Sequence, residues 1–285
     1  MDISDQQRRK ELFERRYAKD AEGAQGMLWN EHIELLLAHR SVRTFLEEDI
    51  PPGALETMVA AAQSASNSSN LNQWSLVAIT DPLLKAEFAR VSREGSKVGM
   101  GNPFIEQAPV LLLWVADMHR NSQIAKDQGL HSPVLAYSDA TLMATIDTAL
   151  AAQNAAVAAE SMGLGIVYLG IMRNNAQQIA DLLGLPDYCY VVFGMAVGKP
   201  DPQRRSDIRP RLAQKAVLHY NGYDKHAWKE HIDAYEESFK AFRERNAMKP
   251  KLWRDSVVFS TSSMQFMDGR ENLKKALENR GLKLL

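Results

Sequence analysis

A single cysteine, Cys189, in a chain of 285 residues excludes an intrachain disulfide and any cysteine-built zinc or iron–sulfur centre, and it fits a reducing compartment. Charge of one sign is equally scarce. With 34 basic and 35 acidic residues the net charge is -1, so no overall field draws the chain to nucleic acid or to an anionic membrane. Any anion binding must be local. No apolar run reaches the ~18 residues of a membrane span, and the densely charged stretch 1–25 lacks the apolar centre of a secretory signal, so a soluble cytoplasmic protein is expected. The histidines are scattered. His226 and His231 miss the three- or four-residue spacing that sets two ligands on one helical face, and no metal site is expected.

What the chain does have is a core: 45% hydrophobic residues are enough to fill one large domain or two small ones. Residues 1–30 read as a charged N-terminal extension, an exposed helix or loose arm, because Arg8, Arg9, Lys10, Glu11, Glu14, Arg15 and Arg16 mix signs with few large apolar residues. No chemistry is assigned to it. A helix over 29–38 carries Ile33, Leu36 and Leu37 at helical spacing and leads into His39-Arg40-Ser41-Val42-Arg43. That motif sets an imidazole, two guanidinium forks and a hydroxyl where helix gives way to loop, the donors a phosphate wants. Alone, it is as easily a solvated loop. A second basic knot, Arg204, Arg205, Arg209 and Arg211, follows the last strand. Two basic clusters in a nearly neutral chain suggest one phosphate gripped from both sides.

Between the clusters a helix over 53–64 ends in the polar run Ser64-Ala65-Ser66-Asn67-Ser68-Ser69-Asn70-Leu71-Asn72-Gln73. It is denser in hydroxyls and amides than a connector requires, and reads either as a plain turn or as a polar rim around a heterocycle. A strand over 74–80 and a helix over 83–91 follow. The segment 92–107, rich in Gly, Ser, Lys and Asn, reads as a mobile loop able to cover a site. The unbroken apolar run 108–116 predicts a strand buried on both faces. The Ala-rich stretch 139–162, apolar almost all round, predicts a buried helix, either in the core or at a subunit interface. Gly163 and Gly165 precede the strand 163–170 instead of following it, which disfavours a dinucleotide-binding turn, while Gly170 permits a flat ligand to approach the backbone closely. Another strand covers 188–197. The C-terminal part, 225–285, is helical in pattern, with Ile232, Tyr235, Phe239 and Phe242 on one side.

Several of these motifs occur together in a fixed order: His39-Arg40-Ser41-Val42-Arg43, the Ser/Asn run, the glycine-led stretch 163–175 ending in Arg173-Asn174-Asn175, the stretch 193–200, and Arg209-Pro210-Arg211-Leu212. In that order the chain resembles the nitroreductase family over roughly residues 31–255, and within it the oxygen-insensitive NADPH nitroreductase and flavin reductase branch. The resemblance implies an α+β fold, a central mostly antiparallel sheet wrapped by helices, and an intertwined homodimer with FMN at its interface. The expected divisions are the extension 1–30, an FMN-binding core 31–222 and a helical C-terminal extension 223–285. Matched position by position, His39, Arg40, Ser41 and Arg43 form the first phosphate and ribityl cluster, and Arg209 and Arg211 the second. Ser66, Asn67 and Ser68 match the run that meets the flavin ring. Tyr168, Leu169 and Gly170 match the strand whose backbone amide donates to flavin N5, and Arg173 and Asn174 match positions near the nicotinamide nucleotide.

There are departures. Arg209 stands where relatives often carry Lys, and Ile171 where a second Gly is common; 92–107 aligns poorly, with Asn102 the only stand-in for an expected Gln contact. The implied activity is ping-pong: NADPH, or NADH, passes hydride to FMN, and a small-molecule acceptor (a nitroaromatic, a quinone or a flavin) then takes two electrons. No side chain is needed as catalytic acid, base or nucleophile. Arg243, Arg245, Lys249, Lys251 and Arg254 are candidates for the NADPH 2′-phosphate, or else a solvated basic face. Rival readings are a flavin carrier or regulatory protein of the same fold, and a specialised ene-reductase-like or dehalogenating member.

Overall fold

The computed structural model describes residues 3–17, 26–94, 96, 102–204 and 206–285. Its helices are α1 (Ile3–Tyr17), α2 (Glu31–Ala38), α3 (Ala54–Gln63), α4 (Pro82–Arg93), α5 (Phe104–Gln107), α6 (His119–Asp127), α7 (Ser138–Ser161), α8 (Ala176–Leu182), α9 (Ile232–Arg245), α10 (Trp253–Ser262) and α11 (Leu273–Glu278). The strands are β1 (Trp74–Ile79), β2 (Val110–Asp117), β3 (Gly165–Leu169) and β4 (Cys189–Gly198). Among the described residues no helix is long and apolar enough to cross a membrane.

By compactness the chain divides into two units, Met1–Arg40 with Ser206–Ser263, and Ser41–Arg205 with Met264–Leu285. This division cuts across the sequence boundaries at 30/31 and 222/223. One reason lies in α1, which was expected to be an exposed helix or a loose arm. Its Phe13 and Arg16 are buried, and Phe13 packs at 5.7 Å from Trp29 within the first unit. Residues 18–25 of the expected extension lie outside the described residues. The same unit holds α9, whose Ile232, Tyr235, Phe239 and Phe242 form the buried stripe that the spacing predicts. Glu236, also buried, accepts from the backbone N–H of Trp253 and Arg254, so its carboxylate caps the positive end of α10.

The second unit is built on a four-stranded sheet of order β1-β2-β4-β3, antiparallel throughout. The central antiparallel sheet wrapped by helices is therefore the fold. In β2, Leu111, Leu113 and Val115 face a core that includes Phe88, Ile105 and Ile179 of α4, α5 and α8. Leu112 and Trp114 face the opposite core, with Met58 of α3 and the alanines of α7. Successive side chains of a strand point to opposite faces, so a strand covered on both sides shows an unbroken apolar run in place of alternation.

Helix α7 is in part the buried helix that its composition predicts. Most of its alanines are buried, but Leu142, Ile146 and Leu150, four residues apart, remain 58%, 54% and 44% exposed. The helix is thus half core and half open apolar stripe. The segment 92–107, expected as a mobile loop, is corrected at its two ends: α4 runs on to Arg93, and α5 is held down by buried Phe104 and Ile105. Residues 95 and 97–101 of that segment lie outside the described residues.

One glycine fixes how the Ser41 segment lies on the sheet. Ser41 bridges Ile166 in parallel register, and the Val42 N–H donates to the Ile166 carbonyl at 2.9 Å. At Gly165 an added Cβ would stand 2.6 Å from Val42 Cγ2 and 2.7 Å from its Cβ. Val42 is branched and buried and cannot give way freely. Gly165→Ala is expected to cost about 1–3 kcal/mol, the range for overpacking a filled core. A denaturant midpoint unchanged from the wild type would show that the strand is free to move off.

Candidate functional site

In the first unit, Asn30 caps α2 by accepting the Ile33 N–H at 2.9 Å, so the helix starts at Glu31, later than position 29. It ends at Ala38 because His39 takes an extended ψ of 134°. His39 and Arg40 therefore stand just past a helix C-terminus, half-buried. The residue that organises their surroundings is Arg16 of α1. It is only 5% exposed, and its guanidinium donates to the carbonyls of Leu37 and His39 at 2.8 Å and of Arg209 at 2.9 Å. Its own carbonyl accepts the Arg211 N–H at 2.8 Å. Within this unit, then, the His39 segment and the Arg209 to Arg211 segment are laced together through one side chain.

Arg209 is half-buried and lies 5.6 Å over the Phe242 ring, while Arg211 is exposed. The Tyr235 hydroxyl donates to the carbonyl of Pro210 between them at 3.3 Å. Burial lowers the Arg209 pKa first, and the neighbouring charges of Arg211 and Arg243 lower it further, against an opposing effect of Tyr235. A guanidinium keeps its proton all the same. The consequence is a partly desolvated cation that, among the described residues, forms no ion pair with a carboxylate. Such a group is stabilised by a bound anion, and a phosphate suits its planar fork.

The remaining sequence candidates belong to the second unit. Ser41 is held on β3, and Arg43 of the same segment is exposed. Ser66 is exposed, and Asn67 accepts from the Asn72 N–H at 3.4 Å. The run they belong to is no plain turn. Ser69, Asn70 and Asn72 all take positive φ, 51°, 55° and 51°, a conformation costly outside glycine that Asn tolerates best. The loop is pinned by Asp147 of α7, which is buried and accepts the Ser68 N–H at 3.0 and 3.2 Å. At its end Gln73 is buried with a side-chain oxygen that finds no donor among the described residues.

Tyr168 stacks edge-on against Phe193 at 5.1 Å, and burial raises its phenol well above the ordinary range, so it stays neutral. Leu169 is buried at the end of β3, where Gly170 opens a single 3-10 turn, Gly170–Arg173. The nearest group to Gly170 is the Arg173 guanidinium, 3.3 Å from where a Cβ would stand. Arg173 donates to the Val192 carbonyl at 2.6 Å, and its pKa is lowered by burial and then by Arg270. Asn174, matched with Arg173 in the sequence, is buried and gives its amide to Asp268 at 2.9 Å.

Of the C-terminal basic residues, Arg243 donates to the Lys249 carbonyl, Arg245 pairs with Asp207 at 3.1 Å, and Arg254 with Asp233 at 2.5 Å. Lys249 and Lys251 are exposed. Arg205 lies outside the described residues, and Asn102 uses its carbonyl to accept the Ile105 N–H at 3.0 Å. Sequence reasoning missed Arg16, Asp147 and Asp268, because each acts through main-chain or distant partners. Among the described residues no cluster of His, Cys, Asp or Glu is arranged to hold a metal.

The comparisons with known proteins cover both units. The model of the nitroreductase family matches residues 36–199, and that of the nitroreductase family C-terminal domain matches 209–285. The chain is 35% identical over 249 residues to an NADPH-dependent oxidoreductase of Staphylococcus epidermidis, spanning 85% of this chain and 96% of that one. It is 35% identical over 234 residues to an FMN reductase (NADPH) of Bacillus subtilis, spanning 80% of this chain and 90% of that one. Among solved structures it superposes on the NADPH:FMN oxidoreductase of Vibrio harveyi, complexed with NAD+, with a TM-score of 0.76 and 32% identity over 89% of this chain and 99% of that one. A match by models to both of its long stretches, with relatives aligned along nearly their full length, means that this chain belongs to the nitroreductase family.

Proposed function

We propose that the protein is an FMN-dependent NADPH oxidoreductase that reduces nitroaromatics, quinones or flavins two electrons at a time, working as a homodimer in the cytoplasm. The observation that carries the reading is the half-buried Arg209, which beside Arg211 has like charges for neighbours and no carboxylate in an ion pair among the described residues. That donor set fits the phosphate of FMN, and the names borne by the similar proteins of Bacillus subtilis and Vibrio harveyi support both FMN and NADPH. The wider set of FMN contacts rests on the family resemblance: His39, Arg40, Ser41 and Arg43 with the phosphate and ribityl chain, and Ser66, Asn67, Ser68, Tyr168, Leu169 and Gly170 with the ring.

When bound, FMN accepts hydride from NADPH and delivers two electrons to the acceptor in alternating half-reactions. The chain's own part is to bind and orient. Arg209 and Arg211 would hold the phosphate end, and the ring, joined to it through the flexible ribityl chain, needs contacts of its own. Arg173, cationic and half-buried beside Gly170, favours negative charge building up near that backbone. Arg173 and Asn174 stand near the nicotinamide nucleotide by the family resemblance, and Arg173 brings the charge. Tyr168, kept neutral by burial, adds no opposing charge.

The homodimer is supported by the open stripe Leu142, Ile146 and Leu150 on α7, and by a groove of about 1100 Å³ beside the edge strand β1, lined by Leu55, Val59, Trp74, Leu76 and Ile124. An apolar stripe of that kind is the expected mark of a self-complementary interface. The test is anaerobic mixing of the flavin-loaded protein with NADPH. Bleaching of the yellow absorbance within the turnover time, followed by reoxidation on adding a quinone or nitroaromatic, is the expected result. A protein that takes up no FMN ends the proposal, and one that holds FMN yet bleaches with neither NADPH nor NADH is a carrier.

A further inference from the structure

The N-terminal helix lies outside both family matches, the first of which begins at residue 36. It is nevertheless the part that joins the two basic segments. Arg16 is 5% exposed and spends its fork on three main-chain carbonyls: Leu37 and His39 at the end of α2, and Arg209 at the start of the second basic segment. The Arg211 N–H returns a bond to the Arg16 carbonyl at 2.8 Å. These partners lie 21, 23 and 193 residues away in sequence, so nothing local in the chain would hold them together. The helix that delivers Arg16 is itself fastened. Phe13 is buried against Trp29, and Arg9 lies 5.7 Å over both rings.

We infer that Arg16 is a positioning residue for the phosphate end of FMN, and that α1 is a structural strut of the cofactor site. The inference rests on the reading of Arg209 and Arg211 as the phosphate seat. Arg16 does not touch the ligand in this account. Its donors are spent on carbonyls, and turning carbonyl oxygens toward Arg16 turns them away from the cations that must meet an anion. A second function follows from charge. Arg209 and Arg211 repel each other when no anion is present, and bonds from a third, buried residue to the backbone keep the pair from splaying apart.

The phosphate provides the test, because riboflavin is FMN without it. The full chain, stripped of flavin, is titrated with each ligand in wild type, Arg16→Ala, Arg16→Lys and the control Lys10→Ala, whose exposed side chain on the same helix pairs with Glu14 at 3.8 Å. Arg16→Ala should lower FMN affinity at least about tenfold and leave riboflavin affinity within about twofold, with Arg16→Lys in between because an ammonium cannot span three divergent acceptors. Lys10→Ala should match the wild type. A purely structural role would weaken both ligands alike, and an Arg16→Ala chain that keeps the wild-type preference for FMN overturns the inference. Should that variant fail to fold, hydrogen exchange on the wild type decides. FMN, and not riboflavin, should slow exchange at residues 13–17 and at the Arg211 amide, since a ligand that binds the assembled seat stabilises what assembles it; no such phosphate-specific protection overturns the inference. A wild type that shows no preference for FMN over riboflavin falsifies the phosphate seat itself, a separate outcome from failure of the strut.

Discussion

Arg209→Ala is expected to lose FMN by roughly a hundredfold in affinity while barely moving the thermal stability of the flavin-free protein. The two halves of that expectation come from the same feature. In the free protein the guanidinium has, among the described residues, Arg211 and Arg243 as charged neighbours, so its removal relieves repulsion and a desolvation cost and forfeits one contact over the Phe242 ring. A cation–π contact of this kind contributes about 0.5–1 kcal/mol, which the relief offsets. With FMN bound the balance reverses. A charge-assisted hydrogen bond is worth about 1.5–3 kcal/mol, and losing the better part of a bidentate pair amounts to two powers of ten in the dissociation constant. The measurement is FMN binding at several salt concentrations together with the melting temperature of the flavin-free and flavin-loaded protein. The wild type should bind more weakly as salt rises and should gain stability from FMN; the variant should show a flatter salt dependence and almost no gain. A variant that melts well below the flavin-free wild type would mean that Arg209 is a packing residue.

How much of this was legible in the chain differs from element to element. The strand β2 could be read because an unbroken apolar run has one structural meaning when helices cover both faces of a sheet, and α9 because Ile232, Tyr235, Phe239 and Phe242 repeat at the helical period. The two basic segments were legible as donor chemistry. Their joining was not, because Arg16 bonds to carbonyls, and every residue has a carbonyl, so the acceptors carry no signature in the sequence. The Ser/Asn run was conspicuous by composition, yet its shape depends on Asp147, 79 residues on from Ser68. Asn174 was conspicuous as a polar residue in a motif, but its burial and its bond to Asp268, 94 residues on, carry no mark in the sequence. Composition could not choose between core and interface for α7, because an alanine-rich helix reads the same whether its few large apolar residues meet the core or another surface.

The largest loss of stability is expected from Gly269→Ala. Gly269 sits at φ +99°, and an added Cβ would stand 2.3 Å from the Asn174 carbonyl oxygen and 3.1 Å from its carbon. The obstruction is backbone, which cannot rotate aside as a side chain does. What the close approach holds in place is the preceding residue. Asp268, itself at φ 49°, accepts from the Ser96 hydroxyl at 3.0 and 2.8 Å and from the Asn174 amide at 2.9 Å, so its carboxylate ties three stretches of the second unit together. Moving the turn away from Asn174 to admit a methyl group breaks those bonds and leaves the buried Asn174 amide without its acceptor. Strain of about 1–2 kcal/mol for the backbone and about 1–3 kcal/mol for the orphaned group add to roughly 3 kcal/mol or more. At about 2–4 °C per kcal/mol for a domain of this size, the melting temperature should fall by roughly 6–12 °C. Gly269→Asn separates the two causes. Asparagine tolerates positive φ better than alanine but carries the same Cβ, so a collision with the Asn174 carbonyl predicts no rescue, whereas pure backbone strain predicts a substantial one. Recovery of the wild-type midpoint in Gly269→Asn would show that the turn can withdraw from Asn174. In that case the bonds of Asp268 to Ser96 and Asn174 would contribute little to holding Arg270 beside Arg173, and the positive charge next to Gly170 would come from Arg173 by itself.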